Sequence, residues 1–482
     1  MNKGMKIYNT LSGQKEELKK PEGRPLNMFV CGPTVYDYSH IGHARTYIVF
    51  DTLVRYLRSK KWDVFYLQNI TNVDDKIIAR AREEKKDPLK LSAFLTKEYF
   101  IDMKSIGVNS ITKYAPATEF IPQIVKQVNT LKEKGFAYEI KGDGIYFDIL
   151  KFPDYGKLSG RTAAQAEDSV TRIDESVNKK NKGDFALWKF PKNPVKPSFF
   201  QNIKGFLITA DGEPLWKTSL GWGRPGWHIE DTAISEKFFG PQYDLHGGAL
   251  DLKFPHHEAE IAQQESASGK KPFVRIWMHT GFLTTRGEKM SKSLGNFITI
   301  RDFLKENSPE ILRWLLLSYH YRTPVDYTPE LLNQTKVVFS RVRIFLEKLV
   351  FVAAKKNKKT AGIQKEIQKN KEEFEAAMED DFNTPLALAA LLGLMNRTQD
   401  KIWGVSENEA VLLGNYIKGT LGTLGISVKT EKVPAKISEF AAERELCRAN
   451  QQFVKSDALR EKIRVLGYSM EDTPMGVFIH KD

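Results

Sequence analysis

The hydrophobic pattern near the start of the chain alternates short apolar runs with longer segments of helical spacing. Residues 28–30 predict the end of a buried strand, and apolar residues recur at helical spacing from about Ala44. Residues 62–67 predict a second strand, and residues 77–84 predict the start of a helix. This alternation favours parallel strands joined by crossover helices, which is an α/β fold.

The pattern changes between about residues 136 and 221. Short strand candidates at 138–140, 144–148 and 185–190 follow one another between turn residues. We therefore predict an inserted module in this part of the chain. The stretch 197–215 within it is longer than we expect for the segment before the Trp-containing turn at Gly221. The sequence assigns no function to this stretch.

The α/β pattern resumes at about residue 222, with a strand predicted at 243–246 and a helix at 256–268. Beyond Ile298 nearly the whole chain has helical spacing, and one long helix is predicted over 439–455. The sequence thus predicts an α/β domain that a module interrupts and that helices follow.

Charge adds a functional constraint to this outline. The 482 residues include 73 Lys and Arg against 60 Asp and Glu, a formal net charge of +13. Such an excess points to a polyanionic partner, nucleic acid first and an anionic membrane surface second. No apolar stretch approaches the roughly 20 residues that span a bilayer, and the N-terminus lacks the apolar core of a secretory signal. The two cysteines exclude a disulfide framework and favour a reducing cytoplasm.

A polar loop joins the first predicted strand to the first long helix and contains Cys31, His40, Gly42 and His43. Open α/β sheets hold phosphates at such junctions, where the amides of a helix N-terminus meet an anion. A solvated surface loop is the alternative for two loop histidines. Clustering of the histidines favours an active site, because seven of the nine lie in a few short stretches: His40, His43, His228, His246, His256, His257 and His279.

The sequence KMSKS at residues 289–293 lies in a predicted loop. Its two lysines suit the stabilisation of charge that develops on the pyrophosphate leaving group of ATP. The pentapeptide alone has moderate specificity, because lysine and serine are common in loops. Gly247 and Gly248 follow the strand predicted at 243–246 and would let a ring or ribose approach the backbone, although a simple tight turn would contain them equally well.

A second group of residues suits a metal ion. His256 and Glu260 are four positions apart at the start of a predicted helix, so they share one face. That spacing suits two zinc ligands, and Cys31 could supply a thiolate. A polar helix start with an ordinary acidic first turn is the alternative.

The tetrapeptide HIGH at residues 40–43 and the KMSKS motif occur in the order typical of class I aminoacyl-tRNA synthetases. From about residue 6 to residue 476 the chain resembles the cysteinyl-tRNA synthetase family. The resemblance implies a Rossmann-like parallel-sheet catalytic domain with an inserted module, followed by an all-α C-terminal tRNA-binding region. It implies five divisions: the two catalytic halves 1–135 and 222–300, a connective module 136–221, a helical stem-contact region 301–354, and a DALR-type anticodon-binding domain 355–482 that contains the tetrapeptide DALR at 457–460.

The same resemblance implies the residues of the site. The catalytic residues would be His40, His43, Lys289 and Lys292. ATP would be bound by these four and by Gly42, His246, Gly247 and Gly248. The cysteine pocket would contain Cys31, Thr71, Trp227 and His256. Zinc would be bound by Cys31, Asp231, His256 and Glu260.

Asp231 departs from the pattern of the family, which most often has cysteine at this position. A carboxylate can bind zinc, but it would make the site harder and richer in oxygen. The resemblance further implies that the chain joins L-cysteine to cysteine tRNA through cysteinyl-adenylate, with Mg²⁺ beside ATP and one Zn²⁺ per chain. We expect a cytoplasmic monomer without a membrane partner.

Two other functions would share parts of these motifs. An amino-acid ligase that joins cysteine to an amino sugar would share the catalytic half, but the helical C-terminal region with DALR argues against it. A non-catalytic tRNA-binding protein would not require His40, His43, Lys289 and Lys292, and their presence argues against that function.

Overall fold

The computed structural model describes residues 4–161, 178–192, 205–209, 212–290, 296–356 and 360–482. The chain forms two compact units, one of Met1–Pro309 with Tyr321–Asp326 and one of Glu310–His320 with Tyr327–Asp482. Lys292 and most of the stretch 197–215 lie outside the described residues. In the described part, none of the helices is both long and apolar enough to cross a bilayer.

Strands and helices are numbered here in chain order. The strands are β1 (Lys6–Asn9), β2 (Gln14–Glu17), β3 (Leu26–Val30), β4 (Val64–Ile70), β5 (Lys113–Pro116), β6 (Ala137–Ile140), β7 (Gly144–Phe147), β8 (Phe185–Lys189), β9 (Phe206–Ile208), β10 (Pro214–Thr218), β11 (Gly221–Pro225), β12 (Tyr243–Ala249), β13 (Val274–Thr280), β14 (Leu283–Thr285), β15 (Glu288–Lys289), β16 (Val325–Tyr327), β17 (Tyr468–Thr473) and β18 (Gly476–Lys481). The helices are α1 (Ile41–Ser59), α2 (Asp75–Glu83), α3 (Pro88–Ser105), α4 (Ile121–Glu133), α5 (Trp227–Phe239), α6 (His256–Ser268), α7 (Ile300–Glu306), α8 (Pro309–Leu317), α9 (Pro329–Ala354), α10 (Ile363–Glu379), α11 (Thr384–Gln399), α12 (Glu407–Thr423), α13 (Ala435–Ala449) and α14 (Phe453–Val465).

A five-stranded parallel sheet with the order β13-β12-β3-β4-β5 lies at the centre of the first unit. Val30 of β3 is in register with Gly247 of β12 on one side and with Gln68 of β4 on the other. The strand order reverses between β3 and β12. Open α/β sheets bind ligands outside the carboxyl ends of their strands at such a switch point. The predicted parallel α/β fold is confirmed.

Helix α1 begins at Ile41, three residues before the predicted start, because His40 caps it. The Nδ1 atom of His40 accepts a hydrogen bond from the backbone N–H of Gly42 at 3.0 Å. The cap satisfies an N–H that the first turn leaves without a partner, so the helix begins before its apolar repeat does. The side chains of Ile48, Phe50 and Leu53 are fully buried.

The predicted module forms a six-stranded sheet with the order β6-β7-β8-β11-β10-β9, in which all neighbours are antiparallel. One hydrophobic cluster includes Phe29 and Leu67 of the parallel sheet together with Phe147 and Trp188 of this second sheet. The parallel sheet and this second sheet therefore share one core. In chain order the second sheet lies between α4 and α5.

The second unit is mainly helical, as predicted. Helix α9 packs against α12, α10 against α11, and α13 against α14. The helix predicted over 439–455 is wrong, because α13 ends at Ala449 and α14 begins at Phe453. Gln451 between them has a φ of 59°, which a continuous right-handed helix does not permit. The chain then ends in the hairpin β17–β18, which the sequence pattern did not predict.

Candidate active site

The carboxyl ends of the central strands bring together residues that are far apart in sequence. Cys31 follows β3, Thr71 follows β4, and His246 is the middle residue of β12. All three residues are buried. The edge at which the strand order reverses therefore carries a thiol, a hydroxyl and an imidazole.

Two helices add the other predicted metal ligands to this edge. Asp231 lies in the second turn of α5, whereas His256 and Glu260 lie in the first turns of α6. One ligand atom from each of Cys31, Asp231, His256 and Glu260 lies within 4.8 Å of the other three. The Nε2 atom of His256 is 3.0 Å from Asp231 Oδ2 and 3.1 Å from Glu260 Oε1. These four residues form a compact donor set.

Helix α6 is unusual, because its sequence is polar while twelve of its thirteen residues are buried. Burial of polar groups is unfavourable unless hydrogen bonds satisfy them. The carboxylate of Glu258 accepts hydrogen bonds from the backbone N–H groups of Gly156, Leu158 and Ser159. Gln263 donates to the carbonyl oxygen of His228 at 3.0 Å. These partners outside the helix fix the orientation of the face that carries His256 and Glu260.

A second donor set overlaps the first. The Sγ atom of Cys31 is 3.2 Å from His246 Nε2 and 3.1 Å from His257 Nε2, and these three residues with Glu260 form another group of potential ligands. Burial lowers the pKa of both imidazoles well below the ordinary value, so both rings are neutral. Sequence reasoning counted His257 in the histidine cluster without assigning it a role, and it placed His246 at ATP. The structure places the ring of His246 against Cys31, and its assignment to ATP stays a prediction.

The chemistry of the first donor set fits a divalent metal ion. Burial raises the pKa of the Cys31 thiol well above its ordinary value, and the carboxylates of Glu260 and Asp231 raise it further. Burial and Asp231 also raise the pKa of Glu260. The buried Oε2 atom of Glu260 has no hydrogen-bond partner among the described residues. A divalent cation would offset the repulsion between these anionic donors and would give the orphaned oxygen a partner.

The predicted cysteine pocket adjoins this donor set. Trp227 stacks on His256 with ring centroids 4.3 Å apart and an interplanar angle of 21°. The hydroxyl of Thr71 donates to Glu230 Oε2 at 2.9 Å. Glu230 is fully buried, and burial raises its pKa well above the ordinary value. Sequence reasoning did not single out Glu230, although it assigned roles to Trp227 and Asp231 on either side of it.

The HIGH motif lies at the start of α1, and its two imidazoles stack with centroids 3.9 Å apart. The Nδ1 atom of His43 accepts from the backbone N–H of His40 at 3.4 Å, while the Nδ1 atom of His40 accepts from Gly42. Desolvation lowers the pKa of His43 well below its ordinary value, and His40 lowers it further. Because Nδ1 is an acceptor in both rings, the neutral tautomer carries its proton on Nε2. Both rings can therefore donate from Nε2.

Part of the KMSKS motif contacts this helix start. A Cβ atom on Gly42 would lie 2.7 Å from the His40 ring and 2.9 Å from the Cε atom of Met290. Glycine thus allows Met290, the second residue of KMSKS, to approach the HIGH motif. Lys289 lies in β15, where it is opposite Thr284 of the antiparallel strand β14. Lys292 lies outside the described residues.

The glycines of β12 also allow close approach. A Cβ atom on Gly247 would lie 2.3 Å from the ring of Phe50, and one on Gly248 would lie 2.7 Å from the ring of His257. Both positions therefore require glycine for packing around the sheet edge. Their predicted contact with ATP stays a prediction.

Gly226 caps the start of α5 and brings that helix against the second sheet. A Cβ atom there would lie 1.8 Å from the backbone oxygen of Ala186, so the backbone must shift in Gly226→Ala. We expect this substitution to destabilise the protein by about 1–3 kcal/mol, measured from chemical denaturation. Gly419→Ala is the control, because nothing lies within 4 Å of its added methyl group, and inside α12 we expect it to preserve stability or to raise it by up to about 1 kcal/mol. Equal stability of the two variants would contradict the proposed close contact.

Two family models match parts of the chain. A family model described as "tRNA synthetases class I (C) catalytic domain" matches residues 17–337, and one described as "DALR domain" matches residues 373–428. The second match ends before the tetrapeptide at 457–460. A methionyl-tRNA synthetase of Mycobacterium tuberculosis in complex with methionyl-adenylate has a similar fold, with a TM-score of 0.57, 14% identity, and coverage of 84% of this chain and 90% of that chain. These findings define the chain as a class I aminoacyl-tRNA synthetase.

Full-length relatives narrow the family further. The chain is 42% identical to a cysteine–tRNA ligase of Thermococcus kodakarensis, with 98% of each protein covered. It is 40% identical to a cysteine–tRNA ligase of Carboxydothermus hydrogenoformans, with 98% of this chain and 99% of that protein covered. The chain belongs to the cysteine–tRNA ligase family. The resemblance predicted from its sequence is confirmed.

Proposed function

We propose that the chain activates L-cysteine with ATP and transfers the cysteinyl group to cysteine tRNA. One observation carries this proposal: the stacked imidazoles of the HIGH motif and a buried Cys/Asp/His/Glu donor set lie at the same edge of one parallel sheet. The first feature suits the triphosphate of ATP, and the second suits a thiol substrate. Full-length relatives named cysteine–tRNA ligases support the same activity.

The reaction begins when a carboxylate oxygen of cysteine attacks the α-phosphorus of ATP. A new P–O bond forms, the bond to the pyrophosphate oxygen breaks, and cysteinyl-adenylate results. The Nε2–H groups of His40 and His43 would donate to phosphate oxygens as charge develops, and Lys289 and Lys292 would stabilise the leaving pyrophosphate. Mg²⁺ would accompany the triphosphate. A hydroxyl of the terminal adenosine of the tRNA then attacks the cysteinyl carbonyl and releases AMP.

Zinc is the metal that we propose for the first donor set, with Cys31, Asp231, His256 and Glu260 as its ligands. When bound, zinc would take the substrate thiol as a further ligand, a bond that the hydroxyl of serine makes less well. Packing alone discriminates such similar side chains by roughly 1–3 kcal/mol, which is too little for faithful charging. Thr71 and Trp227 would orient the remainder of the amino acid beside the donor set.

The tRNA would contact the second unit, which contains the matched DALR domain. Arg444 and Arg448 both bind the carboxylate of Asp472, at 2.9 and 2.6 Å, and their charge is already paired. Lys455 and Arg460 are exposed on α14, and we propose that they are available to tRNA phosphates.

We further propose that the protein works as a monomer in the cytoplasm, where its two free cysteines would stay reduced.

Two assays on the full-length protein test the proposal. Cysteine-dependent exchange of pyrophosphate into ATP measures the first step, and attachment of radiolabelled cysteine to cysteine tRNA measures the second. We expect both activities, with zinc near one equivalent per chain in the purified protein. Exchange without tRNA charging would indicate the amino-acid ligase alternative, and the absence of both activities would refute the proposal.

A further inference from the structure

The side-chain amide of Asn69 lies between two segments that carry proposed metal ligands. Asn69 is in β4 and is 1% exposed. Its Oδ1 atom accepts a hydrogen bond from the backbone N–H of Gly32 at 2.6 Å, and its Nδ2 atom donates to Asp231 Oδ1 at 2.5 Å. Gly32 directly follows Cys31 in the chain. A single side chain therefore connects the thiol-bearing loop to the carboxylate of α5.

The chemistry of these partners fixes the direction of the amide. A backbone N–H can only donate, so the oxygen of Asn69 must face Gly32, and its nitrogen then faces Asp231. With Oδ1 of Asp231 engaged in this way, Oδ2 lies 3.0 Å from His256 Nε2 and faces the donor set. One carboxylate oxygen is thus held by Asn69, and the other is presented to the metal site.

The loop that follows Cys31 packs closely against the backbone at Asn69. A Cβ atom on Gly32 would lie 1.7 Å from the backbone oxygen of Asn69, so the loop after Cys31 lies directly against β4. The hydrogen bond to Gly32 adds a polar contact to this packing. Displacement of the Asn69 amide would release the orientation of Asp231 and would loosen the backbone beside Cys31.

We propose that Asn69 is a positioning residue for the metal site, which sets Asp231 as a ligand through one oxygen and fixes the loop that presents Cys31. The inference rests on the zinc site proposed above. Outer hydrogen-bond partners of metal ligands typically change metal affinity by 10- to 100-fold. Asn69 contacts one proposed ligand, Asp231, and the backbone next to a second, Cys31, at the same time.

The test compares zinc affinity, measured by chelator competition, in full-length wild type, Asn69→Ala and the control Asn72→Ala. Asn72 exchanges two hydrogen bonds with Thr118, at 2.8 and 3.1 Å, and neither bond involves one of the four donors. We expect Asn69→Ala to weaken zinc binding about 10- to 100-fold and Asn72→Ala to preserve it. Asn69→Asp keeps the acceptor for Gly32 but cannot donate to Asp231, and we expect weaker binding from it as well.

A second comparison separates positioning from a general structural role. In the Asp231→Cys background a sulfur atom, which accepts hydrogen bonds weakly, replaces the carboxylate. We therefore expect Asn69→Ala to reduce zinc affinity by a smaller factor in the Asp231→Cys background than in the wild-type background. Equal losses in the two backgrounds, or unchanged affinity in both Asn69 variants, would overturn the inference while leaving the zinc site intact. Absence of zinc binding in wild type would refute the proposed zinc site itself, and this inference with it.

Discussion

The variant His43→Asn is expected to form cysteinyl-adenylate about 100- to 1,000-fold more slowly than wild type. The amide oxygen of asparagine can accept the backbone N–H of His40, as the Nδ1 atom of His43 does now. The start of α1 is therefore preserved, whereas the Nε2–H donor is lost. Loss of one preorganised donor to a developing charge typically has an effect of this size, and it lowers kcat more than it raises KM.

Single-turnover formation of adenylate, measured by rapid quench, checks this result directly. The melting temperature of His43→Asn should match that of wild type. His43→Ala also loses the acceptor for the backbone N–H of His40, so its melting temperature should be lower. The rate at which His43→Asn forms adenylate should stay low when the pH is lowered, because the missing group is a neutral donor and not a titrating acid. A wild-type rate in His43→Asn would show that Nε2 does not contact the reacting phosphates.

Cys31→Ser is expected to lose nearly all bound zinc and most cysteine activation. Cys31 belongs to both potential donor sets and is the one cysteine in each of them. Its loss would therefore remove the sulfur ligand from both sets. A hydroxyl is a harder and much less acidic ligand than a thiol, and it binds zinc poorly near neutral pH. Elemental mass spectrometry of the purified variant measures the metal, and pyrophosphate exchange measures activation.

Cys447→Ser is the matched control for this experiment. Cys447 is also buried, but it lies in α13 of the second unit and is not part of either donor set. We expect Cys447→Ser to retain zinc and activity. One equivalent of zinc in Cys31→Ser would exclude Cys31 as a ligand and would leave Asp231, His256 and Glu260 as the donors to be examined.

Much of this fold could be predicted because its signals are local. The helix predicted at 256–268 has those limits in the structure, since Pro255 precedes it and Gly269 ends it with a φ of 72°. The pairing of His256 with Glu260 followed from helical spacing alone. The break at Gln451 had no such signal, because the chain has neither glycine nor proline at that position.

Other parts of the site depend on strand register and tertiary packing. Nothing in the sequence near Asn69 indicates that its amide meets Gly32 and Asp231, because β4, the loop after β3 and α5 come together only in the folded sheet. The direction of His246 was missed for a related reason. Side chains alternate between the two faces of a strand, and the register of β12 against β3 decides which face meets Cys31.

The wide spacing of the proposed ligands has a thermodynamic consequence. Cys31 and Glu260 are separated by nearly half the chain, so an unfolded polypeptide would have to close a very long loop to bind one ion with both. A metal that binds the folded protein far better than the unfolded one stabilises it in proportion to the logarithm of the free metal concentration. The melting temperature of this synthetase would then report the zinc supply of its surroundings. A chelator would lower that temperature without breaking a covalent bond.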